Sequence, residues 1–101
     1  MVEWGSFLSK EVCERLQRMM DVPLMQEMGI RTESISEDGE VVVTMDAGNK
    51  LNAVGGAHGG AIFTLADQAF ALASNLTLDT QVALVASINY IRPGKGHLKA
   101  V

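Results

Sequence analysis

Cysteine is all but missing. Cys13 stands alone, so the chain offers neither a disulfide framework nor metal-ligand spacing. It falls on a stretch that reads as an amphipathic helix with no histidine nearby, which suits packing or surface exposure better than nucleophilic chemistry. Aromatic residues are scarce, with one Trp, one Tyr and three Phe, so the core must be filled by Val, Ile, Leu, Ala and six Met. Basic residues are outnumbered 8 to 12, and the net charge of −4 argues against nucleic acid as the main partner. No long apolar run is uninterrupted. The most apolar helical stretch contains Asp67 and is too short and too polar for a membrane span. The opening Met1-Val2-Glu3-Trp4-Gly5 lacks a basic region followed by an apolar one. No secretory signal is read there, and a reducing cytoplasm is the default location.

What remains is the composition of one globular domain over residues 1–101, with 48% hydrophobic residues. The charge is uneven. From Arg92 onward come Arg92, Lys95, His97 and Lys99 with no acid. Such a cluster suits an anionic ligand such as a nucleotide phosphate, or simply a solvated strand end.

Along the chain, Ser9 is placed to cap a helix running to about Met20, with Glu11 in its first turn and Arg15 and Arg18 later. Val12, Leu16 and Met19 or Met20 give it an apolar stripe, and Pro23 stops it. Gly29 to Ser36 and Glu40 to Asp46 read as a hairpin around Asp38-Gly39. Val41, Val43 and Met45 share one face of its second strand. Residues 47–57 form a loop rich in Gly and Asn. A long helix follows from about Gly59 to Asn75. Gln81 to Arg92 is the clearest long strand, apolar on both faces in its first half and therefore covered on both or paired in an interface. After a turn at Pro93-Gly94-Lys95-Gly96, His97 to Val101 begins another strand. Three strands do not cover such a helix, which predicts further C-terminal strands.

The long helix holds the most informative residue. Asp67 is the only charged group between His58 and Ala73 in a run that is otherwise small or apolar. A helix apolar nearly all round is buried. A carboxylate there must be paired, neutralised or held ready for chemistry. The bland alternative is a solvent-facing polar stripe of Asp67 with Thr64, Gln68, Ala71 and Asn75. Upstream, Gly59 and Gly60 free backbone amides at the helix start, where the dipole favours developing negative charge. Asp67 lies eight residues beyond Gly59, roughly 12 Å along the axis. The carboxylate and the oxyanion donor would then come from different subunits or serve different sites.

The run Leu51-Asn52-Ala53-Val54-Gly55-Gly56-Ala57-His58-Gly59-Gly60, continuing to Leu65-Ala66-Asp67, resembles the active-site signature of hotdog-fold thioesterases. It is most similar to the PaaI-like, phenylacetate-degradation branch, as is Tyr90-Ile91-Arg92-Pro93-Gly94 further on. The resemblance implies an α+β fold, with an antiparallel sheet wrapped around the long helix. It also implies at least a homodimer, or a homotetramer, paired through the strand after that helix and carrying active sites at the interface. The implied activity is hydrolysis of an acyl-CoA thioester to a free acid and CoA.

By the same resemblance Asp67 is the general base or nucleophile, and the Gly59 amide polarises the thioester carbonyl. Asn52 helps hold the thioester or the attacking water, and His58 supports the loop and pocket. Gly60 belongs to the carbonyl-binding turn. Phe63, with Ile62, Leu65 and Phe70, lines an acyl pocket, while Arg92, Lys95 and Lys99 face the CoA phosphates. No metal or redox cofactor is implied, and CoA enters only as part of substrate and product. Some members place Ser or Thr early in the strand after the helix. Here that region is Ala83-Leu84-Val85, and Ser87 lies further along. A hotdog hydratase or dehydratase, needing His58 beside a carboxylate, and a non-catalytic acyl-CoA-binding module are the rival readings.

Overall fold

Residues 7–101 are described by a computed structural model, and the Met1-Val2-Glu3-Trp4-Gly5 stretch lies outside them. Ser9 opens helix α1 (Lys10–Met20), its Oγ accepting from the Val12 amide at 3.2 Å as an N-cap should. Val12 and Leu16, one turn apart, are buried against the rest of the core. Pro23 does more than stop α1. It takes the first position of a short helix, α2 (Pro23–Met28), where a missing N–H is no loss. Gly29, at φ 65, ends α2 in the left-handed conformation, with the Ile30 amide donating back to the Met25 carbonyl. The predicted first strand therefore begins at Arg31. Six residues were too few for an apolar periodicity to declare this helix.

The hairpin forms as predicted, with β1 (Arg31–Ile35) antiparallel to β2 (Val41–Asp46). Val41, Val43 and Met45 are all buried on the core face. Glu33 is an extra residue between the pairs Thr32↔Val43 and Ser34↔Val42, a bulge in β1. Its carboxylate accepts from the Thr44 hydroxyl at 2.7 Å, which satisfies a buried polar group. At the turn, Gly39 has φ 86 and Ser36 holds both ends. The Ser36 amide donates to the Glu40 carbonyl, and the Ser36 hydroxyl donates to the Asp38 carboxylate. The third strand, β3 (His97–Ala100), lies antiparallel on the other side of β2, giving the order β1-β2-β3.

Helix α3 (Gly59–Ser74) packs across β2 and β3, so the sheet covers one side of it. Ala61, Leu65, Gln68, Ala69 and Leu72 face inward. The outer side is open, with Ala66, Asp67 and Ala73 exposed and Phe70 55% exposed. The α+β architecture, with an antiparallel sheet on a long helix, is the predicted one. Full burial of the helix is not seen within one chain.

The largest departure is at Gln81 to Arg92. This segment runs past α3 with no ladder partner among the described residues and is not a strand. Its large side chains face water: Val82 is 80% exposed, Leu84 93%, Val85 92% and Ile91 88%. Alternation and β-branching prepare a strand, but a strand also needs a neighbour to accept its hydrogen bonds. Among the described residues no segment lies at that position.

Two side chains hold the start of the segment. Asn75, 2% exposed, accepts from the Gln81 amide at 2.8 Å and donates to the Gln81 carbonyl at 3.1 Å. Arg15 reaches from α1 to donate to the carbonyls of Asn75, Thr77 and Leu78. A cation there also complements the C-terminal dipole of α3. Arg15→Ala should destabilise the chain by about 2–3 kcal/mol, since bonds to charged groups are the stronger class. Arg15→Lys should recover only part of this, because an ammonium lacks the guanidinium fork. Urea unfolding midpoints check both, and unchanged midpoints would remove Arg15 from the list of fold-determining residues.

Asp38 supplies a second check. The Ser36 hydroxyl, and then backbone amides of the turn, hold its carboxyl below the ordinary value of 3.8. The folded group is the stronger acid. Its contribution to stability is thus present above the unfolded value and lost as pH falls through the depressed one. Carbon-13 titration of the Asp38 carboxyl should give a midpoint below 3.8 that Ser36→Ala moves upward.

Candidate active site

The loop before α3 folds back on itself. The Asn52 amide donates to the Gly56 carbonyl at 2.8 Å, and Leu51 pairs with Ala57 in an isolated bridge. Gly55, at φ 88, makes the reversal possible. The Asn52 side chain organises the same turn, its Oδ1 accepting from the amides of Val54 and Gly56, each at 3.0 Å. Its Nδ2 makes one long bond of 3.5 Å to the Ala57 carbonyl. The Asn52 oxygen is therefore committed to the loop, whereas its amide hydrogens remain largely available to a ligand.

His58 ends the loop as the N-cap of α3. Its Nδ1 accepts from the Gly60 amide at 2.9 Å, so the ring proton sits on Nε2. The cap explains Gly60 without chemistry: a Cβ there would stand 3.2 Å from His58 Nδ1. The Gly59 amide, one residue earlier, has no acceptor among the described residues. It is an unsatisfied donor at the positive end of a helix.

Two separate depressions receive the predicted site residues. The first, about 560 Å³, is lined by Asn52, Gly59, Ile62, Tyr90, Arg92 and Lys95, among others. The second, about 270 Å³, lies between α3 and the segment after it, lined by Phe63, Asp67, Phe70 and Ser87 among others. His58 and Gly60 line neither. Asp67 is thus apart from Gly59 within one chain, as their spacing along the helix required.

Asp67 is exposed, not buried as its apolar surroundings suggested. The interior position at that turn is taken by its neighbour Gln68, 7% exposed, whose Nε2 donates to the Met19 carbonyl at 3.2 Å. The solvent-facing alternative holds for Asp67 itself but not for the stripe as a whole, because Gln68 and Asn75 point inward and are satisfied. Thr64 bonds the Gly60 carbonyl at 2.8 Å, one turn back.

Two residues that the sequence left aside enter here. Ser87 lines the second depression together with Asp67, although it lies further along the segment than the Ser or Thr of other family members. Tyr90 donates its hydroxyl to the Gly59 carbonyl at 2.9 Å. The chain's only tyrosine, two residues before Arg92, was the available sequence signal. Among the described residues no three His, Cys, Asp or Glu gather as a metal site, and no helix is long and apolar enough to cross a membrane.

Residues 13–101 match the family described as a domain of unknown function, DUF4442. Acyl-coenzyme A thioesterase PaaI of Escherichia coli (strain K12) is 39% identical over 67 residues, 66% of this chain and 48% of that protein. The chain thus spans about half the length of this curated relative. The solved structure of the E. coli PaaI protein from the phenylacetic acid degradation operon superposes with a TM-score of 0.77 at 34% identity. That match covers 91% of this chain and 69% of the other. A mutant of the phenylacetic acid degradation protein PaaI from Thermus thermophilus gives a TM-score of 0.69 at 36% identity, over 77% of this chain and 69% of that one. With the predicted fold, the signature from Asn52 to Asp67 and these relatives in agreement, the chain belongs to the PaaI-like branch of the hotdog-fold superfamily.

Proposed function

We propose that the protein is an acyl-CoA thioesterase that hydrolyses an acyl- or aryl-CoA thioester to a free acid and CoA at sites between two copies of the chain. The observation that carries this reading is the unpaired Gly59 amide at the head of α3, beside Asn52 and Arg92 in an open depression. A thioester carbonyl becomes an oxyanion on attack, and such an amide is a donor already aimed at the helix end.

In the reaction, Asp67 takes a proton from water as the water oxygen attacks the carbonyl carbon. The C–S bond then breaks and CoA leaves as the thiol, taking that proton. If the Asp67 carboxylate attacks the carbon instead, C–S cleavage leaves a mixed anhydride on Asp67. Water then hydrolyses it to release the free acid and restore the carboxylate, its proton going to the departed thiolate. Ser87, which lines the same depression as Asp67, would hold the water. Asn52 Nδ2, which makes only one long bond to the Ala57 carbonyl, would donate to the thioester. Arg92 and Lys95 provide positive charge in the Gly59 depression, suited to the phosphates of CoA. Phe63 and Phe70 give the Asp67 depression an apolar wall for the acyl group. The proposed steps call on no metal or redox cofactor.

Two observations support a dimer. Asp67 and Gly59 occupy different depressions of one chain. The exposed apolar segment from Val82 to Ile91, which carries no charge, flanks both of them. Its burial against a second copy would cover a surface that isolated chains rarely leave open. A homodimer, or a homotetramer built from it, brings Asp67 of one chain toward Gly59 of the other. The hydratase reading is less well supported, because His58 Nδ1 holds the Gly60 amide and His58 lines neither depression.

Asp67→Asn should lower turnover by at least about a hundredfold with the assembly size unchanged, the usual cost of losing a general base. Thiol release and size-exclusion chromatography measure the two quantities. Loss of activity that merely follows dissociation would contradict the catalytic role. Arg92→Ala should raise KM for acyl-CoA by more than it raises KM for a short acyl thioester without the nucleotide. Equal effects on the two substrates would remove the phosphate contact from the account.

A further inference from the structure

Gly59 and Gly60 are a conformationally permissive pair, yet the proposed chemistry needs one of their amides held in a fixed direction. Most of the restraints on them are local. The His58 carbonyl, in the same planar peptide as the Gly59 amide, accepts from the amides of Ala61 at 3.0 Å and Ile62 at 3.1 Å. His58 Nδ1 and Thr64 Oγ1 hold the Gly60 amide and carbonyl. All of these partners lie within four residues, and a fraying helix end would lose them together.

Tyr90 is different. Its hydroxyl donates to the Gly59 carbonyl from 31 residues away in sequence. Its ring rests on the Gly59 Cα, so that a Cβ at 59 would stand 3.2 Å from Tyr90 Cζ and 3.3 Å from its Oη. Glycine at 59 therefore does two things: it exposes the amide and it admits the ring. The segment that delivers Tyr90 is anchored at both ends, by Asn75 on Gln81 and by the Ala57 amide on the Gly94 carbonyl at 3.0 Å. Tyr90 also lines the depression that contains Gly59, Asn52 and Arg92.

The geometry points to Tyr90 as a positioning residue that ties the Cα and carbonyl of Gly59 to the body of the fold, and through that Cα restrains the preceding His58–Gly59 peptide, whose N–H is aimed at the carbonyl oxygen of the bound thioester. This inference rests on the thioesterase reading of Gly59. It predicts a loss in kcat instead of in substrate binding, because the hydroxyl is bonded to the backbone and its removal leaves the ring in the depression wall.

Tyr90→Phe in the full chain removes one oxygen atom and tests this. Hydrolysis of an acyl-CoA thioester should show kcat reduced about tenfold, less than the loss of a whole oxyanion donor, with KM within about twofold and the thermal midpoint kept. Unchanged kcat, or a raised KM with kcat intact, would overturn it. Nitrogen-15 relaxation gives a readout that needs no turnover. The Gly59 amide should have a lower order parameter in the variant, while the Leu72 amide, deep in the same helix, stays unchanged. If the wild-type chain releases no thiol from any thioester, the thioesterase reading fails and relaxation alone decides the positioning claim. Equal order parameters for Gly59 in the two proteins would overturn that claim too.

Discussion

The head of α3 is the point on which this structure depends. Three parts of the chain meet there. The His58 amide donates to the Lys50 carbonyl at 2.7 Å, which ties the helix to the start of the loop that follows β2. The Ala57 amide donates to the Gly94 carbonyl, which ties it to the approach to β3. Tyr90 adds its bond to Gly59 from the segment between. Helix ends ordinarily leave four amides without partners. Here the surroundings satisfy or orient the neighbours of Gly59 while its own N–H remains open. A chain with so few aromatic residues places its one tyrosine at that junction.

The rest of α3 divides its labour by face. The inner face is mostly small and aliphatic, and it carries two polar residues whose partners are backbone carbonyls and an amide: Gln68 on Met19, and Asn75 on Ala71 and Gln81. Buried polar groups of this kind are tolerated because each finds a partner, and they fix how α1 and the segment after α3 sit on the helix. The outer face holds Asp67 and Phe70 in contact with solvent. Charge is kept out of the core and left where chemistry or a second chain can meet it.

Much of this was legible in the sequence, for physical reasons that differ by element. Ser9, the stripe of Val12 and Leu16, and the alternation of Val41, Val43 and Met45 are local signals, and local structure follows them. The motif from Asn52 to Asp67 was readable because its glycines and asparagine have backbone roles that the loop then performs. Two kinds of feature were not legible. Helix α2 is too short for periodicity, and Pro23 reads equally as a stop or as a start. The segment from Gln81 to Arg92 has every strand propensity but no partner among the described residues, and pairing is a property of two segments, not one. Gln68 and Asp67 are adjacent, and one residue of helical rotation decided which side chain faces the core. The contributions of Ser87 and Tyr90 depend on how a later segment lies across α3, which no local pattern encodes.

The central claim is that Asp67 and Gly59 complete one another across two copies of the chain. Subunit complementation tests it directly. Asp67→Asn and Gly59→Ala are each prepared as inactive proteins, mixed in equal amounts, and allowed to exchange subunits. Random re-pairing makes about half of the dimers mixed, and a two-fold interface gives each mixed dimer one intact site of two. The account predicts thiol release recovering to about a quarter of the wild-type rate. A mixture that exchanges subunits yet stays as inactive as its components would place both residues in one chain's site and contradict the claim.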